Sequence, residues 1–414
     1  MKRRVVVTGL GAITPVGNDV ATTWRMLLQG KSGAGPITRF DPSNFSVRFA
    51  AEVKGFDPLE YMDRKEAKRA DPYTQFAVAA ATQAMRDAGL AGTTAYEADR
   101  TGVIIGSGIG GLKSFEEQHD VYRERGPSKI SPFFIPMFIA DIAAGIVSMQ
   151  FQAKGPNYAT VSACATSAHA IGAAFRAVQY GDAEVMITGG AEATITPMAI
   201  GGFSNMKALS ERNDSPETAS RPFDATRDGF VMGEGGAVVI LEELEHARAR
   251  GARIYAELVG YGATGDAYHL TAPAPEGEGA QRAMRRALVD ANLTPEMVQY
   301  VNAHGTSTPA NDVNETTAIK AVFGEAVSGL NVSSTKSATG HMLGAAGAVE
   351  CVVTTLAVCE GKVPPTINYQ TPDPECDLNY TPNVMVEREI TAALSNSFGF
   401  GGHNVTLAVQ RYRG

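Results

Sequence analysis

The chain has few cysteines, few histidines and no long apolar run. Its 414 residues include 4 cysteines and 7 histidines, with no CxxC pair and no HExxH pattern. These absences argue against a disulfide framework and a zinc site, and they fit a reducing cytoplasm. No stretch approaches the roughly 18 uninterrupted apolar residues of a membrane-spanning helix, and the amino-terminal apolar run is too short for a signal peptide. The net charge of −8 argues against nucleic acid as a partner.

Nucleotide-binding motifs are also missing. No G-x-x-x-x-G-K-[ST] sequence is present, so a phosphate-cradling loop is not indicated. The run GSGIGG, residues 106–111, formally matches the dinucleotide fingerprint, but only Glu124 lies near the position where an acidic residue is needed. Glycine turns at strand ends explain such runs more simply than a nicotinamide site does.

What the chain does contain is an alternation of β-branched runs with alanine-rich stretches. RRVVVTGLG reads as a strand that enters a turn, and TQFAVAAATQAMRDAGL reads as a helix ended by Gly89. This alternation, with 44% hydrophobic residues and 19% charged ones, predicts an α/β protein with buried sheets.

A weak internal repeat runs through both halves. AMRDAGL (84–90) is echoed by ALVDANL (287–293), and VSACATSAHAIGAA (161–174) by VSSTKSATGHMLGAA (332–346), in the same order. The matches predict two similar halves, residues 1–254 and 255–414, that pack as one body.

Cys164 is placed where a strand gives way to a helix. Unpaired N–H groups at a helix amino terminus favour an anion, which predicts a lowered thiol pKa and a nucleophilic thiolate. The alternative is a small buried hydrophobe, which is common for a lone cysteine. Lys336 and His341 lie at the repeat partner of this junction, and His304 precedes a glycine turn. If the halves are related by a pseudo-two-fold axis, Cys164 and His341 converge on one site, although isolated histidines are more often structural.

Four motifs then resemble one family. VSACATSAHA, HGTSTPANDVNE, STKSATGHMLGAAG and NSFGFGGHN are similar to the signatures of β-ketoacyl-acyl carrier protein synthases, in the thiolase superfamily. The likeness runs over essentially the whole chain and is greater to the type II bacterial elongating members than to type I. The type III initiating members use Cys-His-Asn, whereas this chain has a cysteine with two histidines. It implies a duplicated thiolase-like fold, five-layered αβαβα with two mixed sheets.

The resemblance also implies a reaction and roles. Acyl and malonyl groups arrive on acyl carrier protein, and a decarboxylative Claisen condensation proceeds through an acyl-Cys164 thioester. His304 and His341 would bind the malonyl thioester carbonyl, and the N–H groups of Cys164 and Phe400 would hold the oxyanion. Further residues implied at the site are Lys336 with Glu350 as support, Phe400 as an acyl gate flanked by Gly399 and Gly401, Thr306 and Thr308 on the pantetheine arm, and Ile109 and Phe203 in the acyl pocket.

Partners and alternatives complete the expectations. Arg64, Lys65, Lys68 and Arg69, extended by Lys207, form a basic patch that would dock acyl carrier protein, unless it is a solvated face paired with Asp63 and Glu66. The family implies a cytoplasmic homodimer without a cofactor, apart from a monovalent cation near Asn302, Glu350, Ser395 and Asn396. A polyketide ketosynthase, a non-catalytic chain-length-factor-like partner and a degradative thiolase stay as alternatives. A thiolase carries a second catalytic cysteine near its carboxyl terminus, where this chain has Phe400 and His403.

One departure from the family stands out. Its members usually read GFGGTN where this chain reads GFGGHN, with His403 next to the gating loop. The remaining histidines, His119, His169, His246 and His269, belong to no signature and are interpreted as structural or surface residues.

Overall fold

The computed structural model describes residues 2–92 and 95–414. Ten strands form the main sheet: β1 Val5–Ile13, β4 Thr101–Gly106, β5 Asn157–Tyr158, β6 Val185–Glu192, β7 Gly235–Glu243, β8 Ala256–Gly265, β9 Tyr300–Asn302, β10 Asn331–Ser333, β13 Ala392–Gly399 and β14 His403–Gln410. Two short ladders pair β2 Gly35–Pro36 with β3 Phe49–Ala50 and β11 Lys362–Val363 with β12 Val386–Glu387. The α-helices are α1 Val20–Leu28, α2 Arg64–Ala67, α3 Pro72–Asp87, α4 Leu112–Arg125, α5 Phe134–Phe138, α6 Ile142–Phe151, α7 Thr166–Tyr180, α8 Pro197–Asn205, α9 Leu244–Ala249, α10 Glu278–Ala291, α11 Pro309–Phe323, α12 Lys336–Thr339 and α13 Ala346–Glu360.

The sheet is built from two halves with the same topology. Its order is β10-β9-β13-β14-β8-β1-β7-β6-β4-β5, so each half reads third, second, fourth, fifth and first strand from its outer edge inward. In both halves the outer three strands are parallel and the inner two antiparallel to their neighbours. A three-residue ladder, Val5–Val7 against 256–258, joins the halves. The predicted duplication and the two mixed sheets are confirmed, with the two sheets hydrogen-bonded into one. The boundary between residues 254 and 255 stays a prediction, in the loop between α9 and β8.

Three apolar cores separate five layers. The central core lies between the two halves of the sheet and contains α7 and α13. The outer cores pack α3 and α6 on the first half and α10 and α11 on the second. The window Leu343–Glu360 is long and apolar enough to span a membrane, contrary to the expectation from sequence, but 89% of it is buried inside the protein. Its apolar character is that of a helix in the central layer.

Glycines in β1 allow a helix to pack closely on the strand, and the second half has glycines at the corresponding places. The strand continues through Gly9 and Gly11, where a turn was expected, with an irregularity in its pairing with β7 between Val7 and Gly9. A Cβ on Gly11 would lie 1.9 Å from the Ala80 carbonyl oxygen, so glycine here lets α3 approach the strand closely. The second half repeats the device, since a Cβ on Gly262 would lie 2.0 Å from the Ala283 carbonyl oxygen of α10. The predicted end of α3 at Gly89 is confirmed, and α10 ends in the same way at Asn292, with both residues at positive φ.

Candidate active site

One cavity of about 580 Å³ lies where the two halves meet. It brings together most of the predicted site residues: Ile109, Cys164, Phe203, Lys207, His304, Thr306, Thr308, His341, Gly399 and Phe400. Lys336 and Glu350 are buried outside its lining, while Arg64, Lys65, Lys68 and Arg69 lie on another surface. The motifs separated by up to 236 positions in the chain therefore form one site, as the sequence predicted.

Cys164 sits in a tight turn between a loop and α7. Residues Ala163–Ala165 form one 3-10 turn, with Ala163 at φ 49°, and α7 begins at Thr166. The equivalent turn of the second half is Leu343–Ala345, with Leu343 also at positive φ, and α13 follows it. The structural repeat therefore aligns the two turns, and His341 is not the counterpart of His169 that the letter match indicated. The extra helical turn α12 displaces the second copy.

The electrostatics of Cys164 differ from the prediction. Burial raises the pKa of the Cys164 thiol to about 12, with the Lys336 ammonium and the N–H groups of Phe400 and Cys164 acting in the opposite direction. The expected lowering of this pKa is wrong, because the loss of hydration outweighs the favourable dipoles. These two N–H groups are the main-chain groups that favour a thiolate at this turn, and such donors can also hold an oxyanion on an attached acyl group.

The two histidines lie edge to face. Their ring centroids are 5.3 Å apart, with the planes 85° to each other. Burial, together with the Lys336 ammonium, lowers the pKa of both His304 and His341 far below the ordinary value. Both rings are therefore neutral at physiological pH. Nδ1 of each is buried without a hydrogen-bond partner among the described residues, which leaves the other nitrogen, Nε2, to act toward the cavity.

Main-chain hydrogen bonds hold the backbone that carries these rings. The N–H of His304 donates to Glu315 Oε1 at 2.9 Å, at the end of β9. The N–H of His341 donates to the Val231 carbonyl at 2.7 Å, and its own carbonyl accepts from Gly233. Phe230 and Phe398 pack against the ring pair. The arrangement leaves two neutral imidazole rings facing one cavity.

Lys336 and Glu350 form a buried ion pair next to this cavity. Lys336 Nζ contacts Glu350 Oε1, and both side chains are 2% exposed. Burial raises the pKa of Glu350 to about 7, with the Lys336 ammonium opposing that rise. The Lys336 charge acts on Cys164 and on both histidines, so one buried cation contributes to the pKa of all three, after burial.

The loop after β13 closes one side of the cavity. Phe400 is half-buried, and its ring lies 6.4 Å from that of Phe203. A Cβ on Gly399 would lie 2.9 Å from the Ser162 carbonyl oxygen and 3.1 Å from the Cys164 nitrogen, so the loop touches the Cys164 turn directly. Gly401 has φ 85°, which favours glycine, and it flanks the loop without lining the cavity.

The cavity mouth carries the predicted polar residues. The hydroxyls of Thr306 and Thr308 are 2.8 Å apart, and both residues line the cavity. Lys207 is exposed at the rim, 3.5 Å from Glu211. Ile109 and Phe203 provide apolar wall on the side of the first half.

The basic patch is exposed as predicted. Its helix, α2, has only four residues, so Lys68 and Arg69 lie just beyond it. Arg64, Lys65, Lys68 and Arg69 are all exposed around the single turn of α2, while Ala67 is buried. Asp63 caps that turn by accepting from main-chain N–H groups. None of the four cations forms an ion pair with Asp63 or Glu66, and Arg69 lies 3.9 Å from the centroid of the Phe133 ring.

Two family models match most of the chain. The family model described as "Beta-ketoacyl synthase, N-terminal domain" matches residues 2–247, and "Beta-ketoacyl synthase, C-terminal domain" matches residues 255–370. The chain belongs to the β-ketoacyl synthase family. It is 58% identical over 412 residues to "3-oxoacyl-[acyl-carrier-protein] synthase 2" of Synechocystis sp., covering 100% of this chain and 99% of the relative. It is 56% identical over 410 residues to the protein of the same name from Staphylococcus aureus, covering 99% of each.

A solved structure of this family is similar throughout. It is titled as a type II polyketide synthase acyl carrier protein in complex with its ketosynthase bound to the hexaketide. The TM-score is 0.92 and the identity 37%, with 100% of both chains covered. The thiolase-like architecture expected from the motifs agrees with this ketosynthase neighbour.

Two carboxylates of this β-ketoacyl synthase were missed by sequence reasoning. Glu192 accepts from the N–H groups of Gly108, Ile109 and Gly344, and so joins the turns of the two halves. Glu315 accepts from His304 and Gly305 in the corresponding turn after β9. Burial raises the pKa of each to about 7. Glu315 ends the HGTSTPANDVNE motif, so its position in a signature was the available signal; Glu192 had none.

Proposed function

We propose that this β-ketoacyl synthase is an elongating enzyme of fatty acid synthesis. It condenses an acyl group, carried to Cys164, with malonyl-acyl carrier protein, and yields CO2 and a 3-oxoacyl-acyl carrier protein that is two carbons longer. The observation that carries the proposal is the single cavity lined by Cys164, His304 and His341. The names of the relatives at 56–58% identity support the fatty acid substrate class.

The first half-reaction is acyl transfer. The Cys164 sulfur forms a bond to the acyl carbonyl, the carbon–sulfur bond to the carrier's pantetheine breaks, and the Cys164 proton ends on the departing carrier thiol. The oxyanion rests on the N–H groups of Cys164 and Phe400, which support this role because both lie at the sulfur. Lys336 acts as a positioning residue, since its charge stabilises the thiolate as it forms.

The second half-reaction breaks the carbon–carbon bond of the malonyl group. CO2 leaves, and the bonding electron pair becomes an enolate on the malonyl thioester. Neutral His304 and His341 donate hydrogen bonds to the enolate oxygen, in agreement with their lowered pKa values. The enolate carbon attacks the acyl carbonyl, the carbon–sulfur bond to Cys164 breaks, and Cys164 leaves as a thiolate that takes up a proton from water.

Carrier protein docking is assigned to the basic patch of Arg64, Lys65, Lys68 and Arg69, with Lys207 at the cavity rim. The support is their exposure and the absence of internal ion pairs at α2. The pantetheine arm would pass Thr306 and Thr308. An acidic carrier would be steered to these cations by long-range attraction.

A homodimer in the cytoplasm is part of the proposal. Strand β5 is the outer strand of the first half, and both of its residues are exposed. Exposed apolar side chains surround this edge, namely Ile135, Met149, Tyr158 and Val161. An uncovered apolar sheet edge favours pairing with a second copy. Sedimentation of a Met149→Asp variant tests this, with a monomer expected and an unchanged dimer contradicting the assignment.

A structural monovalent cation also belongs to the proposal. The oxygens Asn302 Oδ1, Glu350 Oε2, Ser395 Oγ and Ser397 Oγ are buried without hydrogen-bond partners among the described residues. Ser395 pairs with Asn302 in the β13–β9 ladder, below α13. This oxygen-rich cluster fits a hard cation. The Asn396 side chain differs from expectation, since it donates to Glu315 and accepts from Thr406 instead. No cofactor is proposed for the reaction.

A polyketide ketosynthase is the second candidate. The 37% identical structural neighbour favours it, and the chemistry would be the same. A chain-length-factor-like partner is less well supported, because Cys164 and both histidines are present at the cavity. A degradative thiolase would need a second cysteine where Phe400 and His403 stand.

The deciding experiment supplies hexanoyl-, dodecanoyl- and hexadecenoyl-acyl carrier protein separately, each with malonyl-acyl carrier protein. Products are followed by mass spectrometry beside a Cys164→Ala variant. We expect saturated and monounsaturated chains to be extended once, by two carbons, and the reaction to stop at the 3-oxoacyl product. Repeated extension without reduction of the 3-oxo group would favour the polyketide candidate.

A further inference from the structure

His403 begins β14, directly after the turn that carries Phe400. Gly399 and His403 are paired residues of the β13–β14 hairpin, and the residues between them are Phe400, Gly401 and Gly402. Strand alternation places His403 on the same face as Val405, Leu407 and Val409, which belong to the central core with α7. The side chain at position 403 is therefore aimed at α7, the helix that follows Cys164.

Two contacts occupy this side chain. His403 Nε2 lies 2.9 Å from the point that a Cβ on Gly401 would take, so the ring covers the main chain of the turn. Its ring centroid is 6.2 Å from that of His169 on α7, with the planes 85° to each other. This edge-to-face geometry is the favourable one for aromatic pairs.

His169 connects that contact to the Cys164 turn. Its Nδ1 is hydrogen-bonded to Ser162 Oγ at 2.7 Å, and the Ser162 carbonyl faces Gly399. Burial, together with His403, lowers the pKa of His169 to about 4, so this ring is neutral at physiological pH. Tyr261 packs on the other side, with a centroid separation of 6.4 Å. Ser162, His169, His403 and Gly401 thus form a continuous contact from the nucleophile's turn to the gating turn.

We propose that His403 is a positioning residue that holds the Phe400 turn against the Cys164 turn through His169. The inference rests on the proposed function and on the gate that the family resemblance implies for Phe400, which would move aside for the acyl chain and return to complete the oxyanion site. Entry of the acyl chain past Phe400 limits acyl transfer in this proposal, so holding the turn closed slows that step. In condensation the chain is already bound, so the closed turn favours that step by keeping the Phe400 N–H at the oxyanion. A threonine at position 403 is too short to cover Gly401 and reach His169, so it releases the turn.

The test separates the two half-reactions for a His403→Thr variant. Acyl transfer is measured by rapid mixing with dodecanoyl-acyl carrier protein alone, through the intact mass of the protein. Condensation is measured on pre-acylated protein mixed with malonyl-acyl carrier protein. Acyl transfer should become faster and condensation slower, each by about two- to twelvefold, the range that one aromatic pair contributes. Damage to the fold would slow both steps and would overturn the proposal, as would no change in either.

Three further variants complete the test. His403→Phe keeps a ring over Gly401. Both rates should stay within about twofold of those of the wild-type protein, since the aromatic packing is retained. His169→Ala should behave like His403→Thr, and the double variant should add nothing; additive effects would contradict a shared contact. His119→Thr, on exposed α4, is the matched control and should change neither rate.

A readout without carrier protein separates this inference from the function itself. Alkylation of Cys164 by iodoacetamide should be faster in His403→Thr by the same factor, because the opened turn exposes the sulfur. If wild-type protein neither accepts acyl groups nor condenses them, the proposed function fails. If wild-type protein is active and the His403→Thr alkylation rate is unchanged, only the positioning role fails.

Discussion

Replacement of Lys336 by methionine isolates the contribution of one buried charge. Lys336 and Glu350 are each 2% exposed and contact one another, so Lys336→Met leaves a carboxylate without its cation in the central layer. Removing one partner of a buried ion pair typically costs about 3–5 kcal/mol of the free energy of unfolding. Methionine nearly preserves the volume of lysine, so a cavity adds little.

The pKa of Glu350 predicts how the destabilisation by Lys336→Met depends on pH. Burial raises the pKa of Glu350 to about 7 from its ordinary 4.5, and loss of Lys336 raises it further. A raised folded-state pKa means that the carboxyl favours folding below its unfolded pKa, and that this stability is lost as pH rises through the folded one. The difference between variant and wild type should therefore be small at pH 5, where Glu350 is protonated in both, and should grow above pH 7 by up to about 1.4 kcal/mol per pH unit until the carboxyl ionises in the variant as well.

Urea unfolding at both pH values measures this directly. The double variant Lys336→Met with Glu350→Gln buries no charge, so it should regain most of the stability lost at pH 8. Activity should fall in both variants, because the Lys336 charge opposes protonation of the histidines and favours the thiolate. A Lys336→Met cost below about 1 kcal/mol at pH 8, or one that is equal at both pH values, would refute the buried-pair argument.

Three further predictions follow from contacts at the site. Gly399→Ala places a Cβ 2.9 Å from the Ser162 carbonyl and should reduce turnover by about 10²–10³, as loss of one oxyanion donor does, while circular dichroism stays unchanged; full activity would contradict the role of this close approach. Lys68→Glu with Arg69→Glu should raise the KM for carrier substrates about tenfold at low salt and much less at 1 M, where charges are screened within about 3 Å, and a KM increase that ignores salt would contradict docking. Replacing K⁺ by tetramethylammonium should lower the melting temperature of wild type but not of Ser397→Ala, whereas equal melting in both salts would contradict the cation site.

The sequence motifs predicted which residues meet at the site, but they did not predict the electrostatics of the site. Cys164, His304, His341 and Phe400 meet at one cavity as predicted, because strand ends and the helix turns that follow them come together in a duplicated α/β fold. The pKa of Cys164 could not be predicted, since it depends on how completely the second half covers the turn. A local sequence reports the helix terminus and does not report the loss of hydration.

The close approach of a helix to a strand could not be predicted from the sequence either. Gly9 and Gly11 looked like a turn because glycine commonly ends strands, yet they continue β1 where α3 presses on it. Glu192 gave no signal because its partners, Ser107, Gly108 and Gly344, come from both halves of the chain. The repeat was visible in outline, but the inserted α12 made the letter alignment of the second copy wrong. Each failure involves tertiary contact that a single sequence does not contain.

Division of labour between the cysteine and the histidines is the central claim, and one intact-mass experiment tests it. Wild type, Cys164→Ala and His304→Ala are each incubated first with dodecanoyl-acyl carrier protein and then with malonyl-acyl carrier protein, while CO2 release is recorded. We expect an acyl adduct in wild type and His304→Ala but not in Cys164→Ala, and CO2 release in wild type and Cys164→Ala but not in His304→Ala. An acyl adduct in Cys164→Ala, or undiminished CO2 release in His304→Ala, would contradict the account.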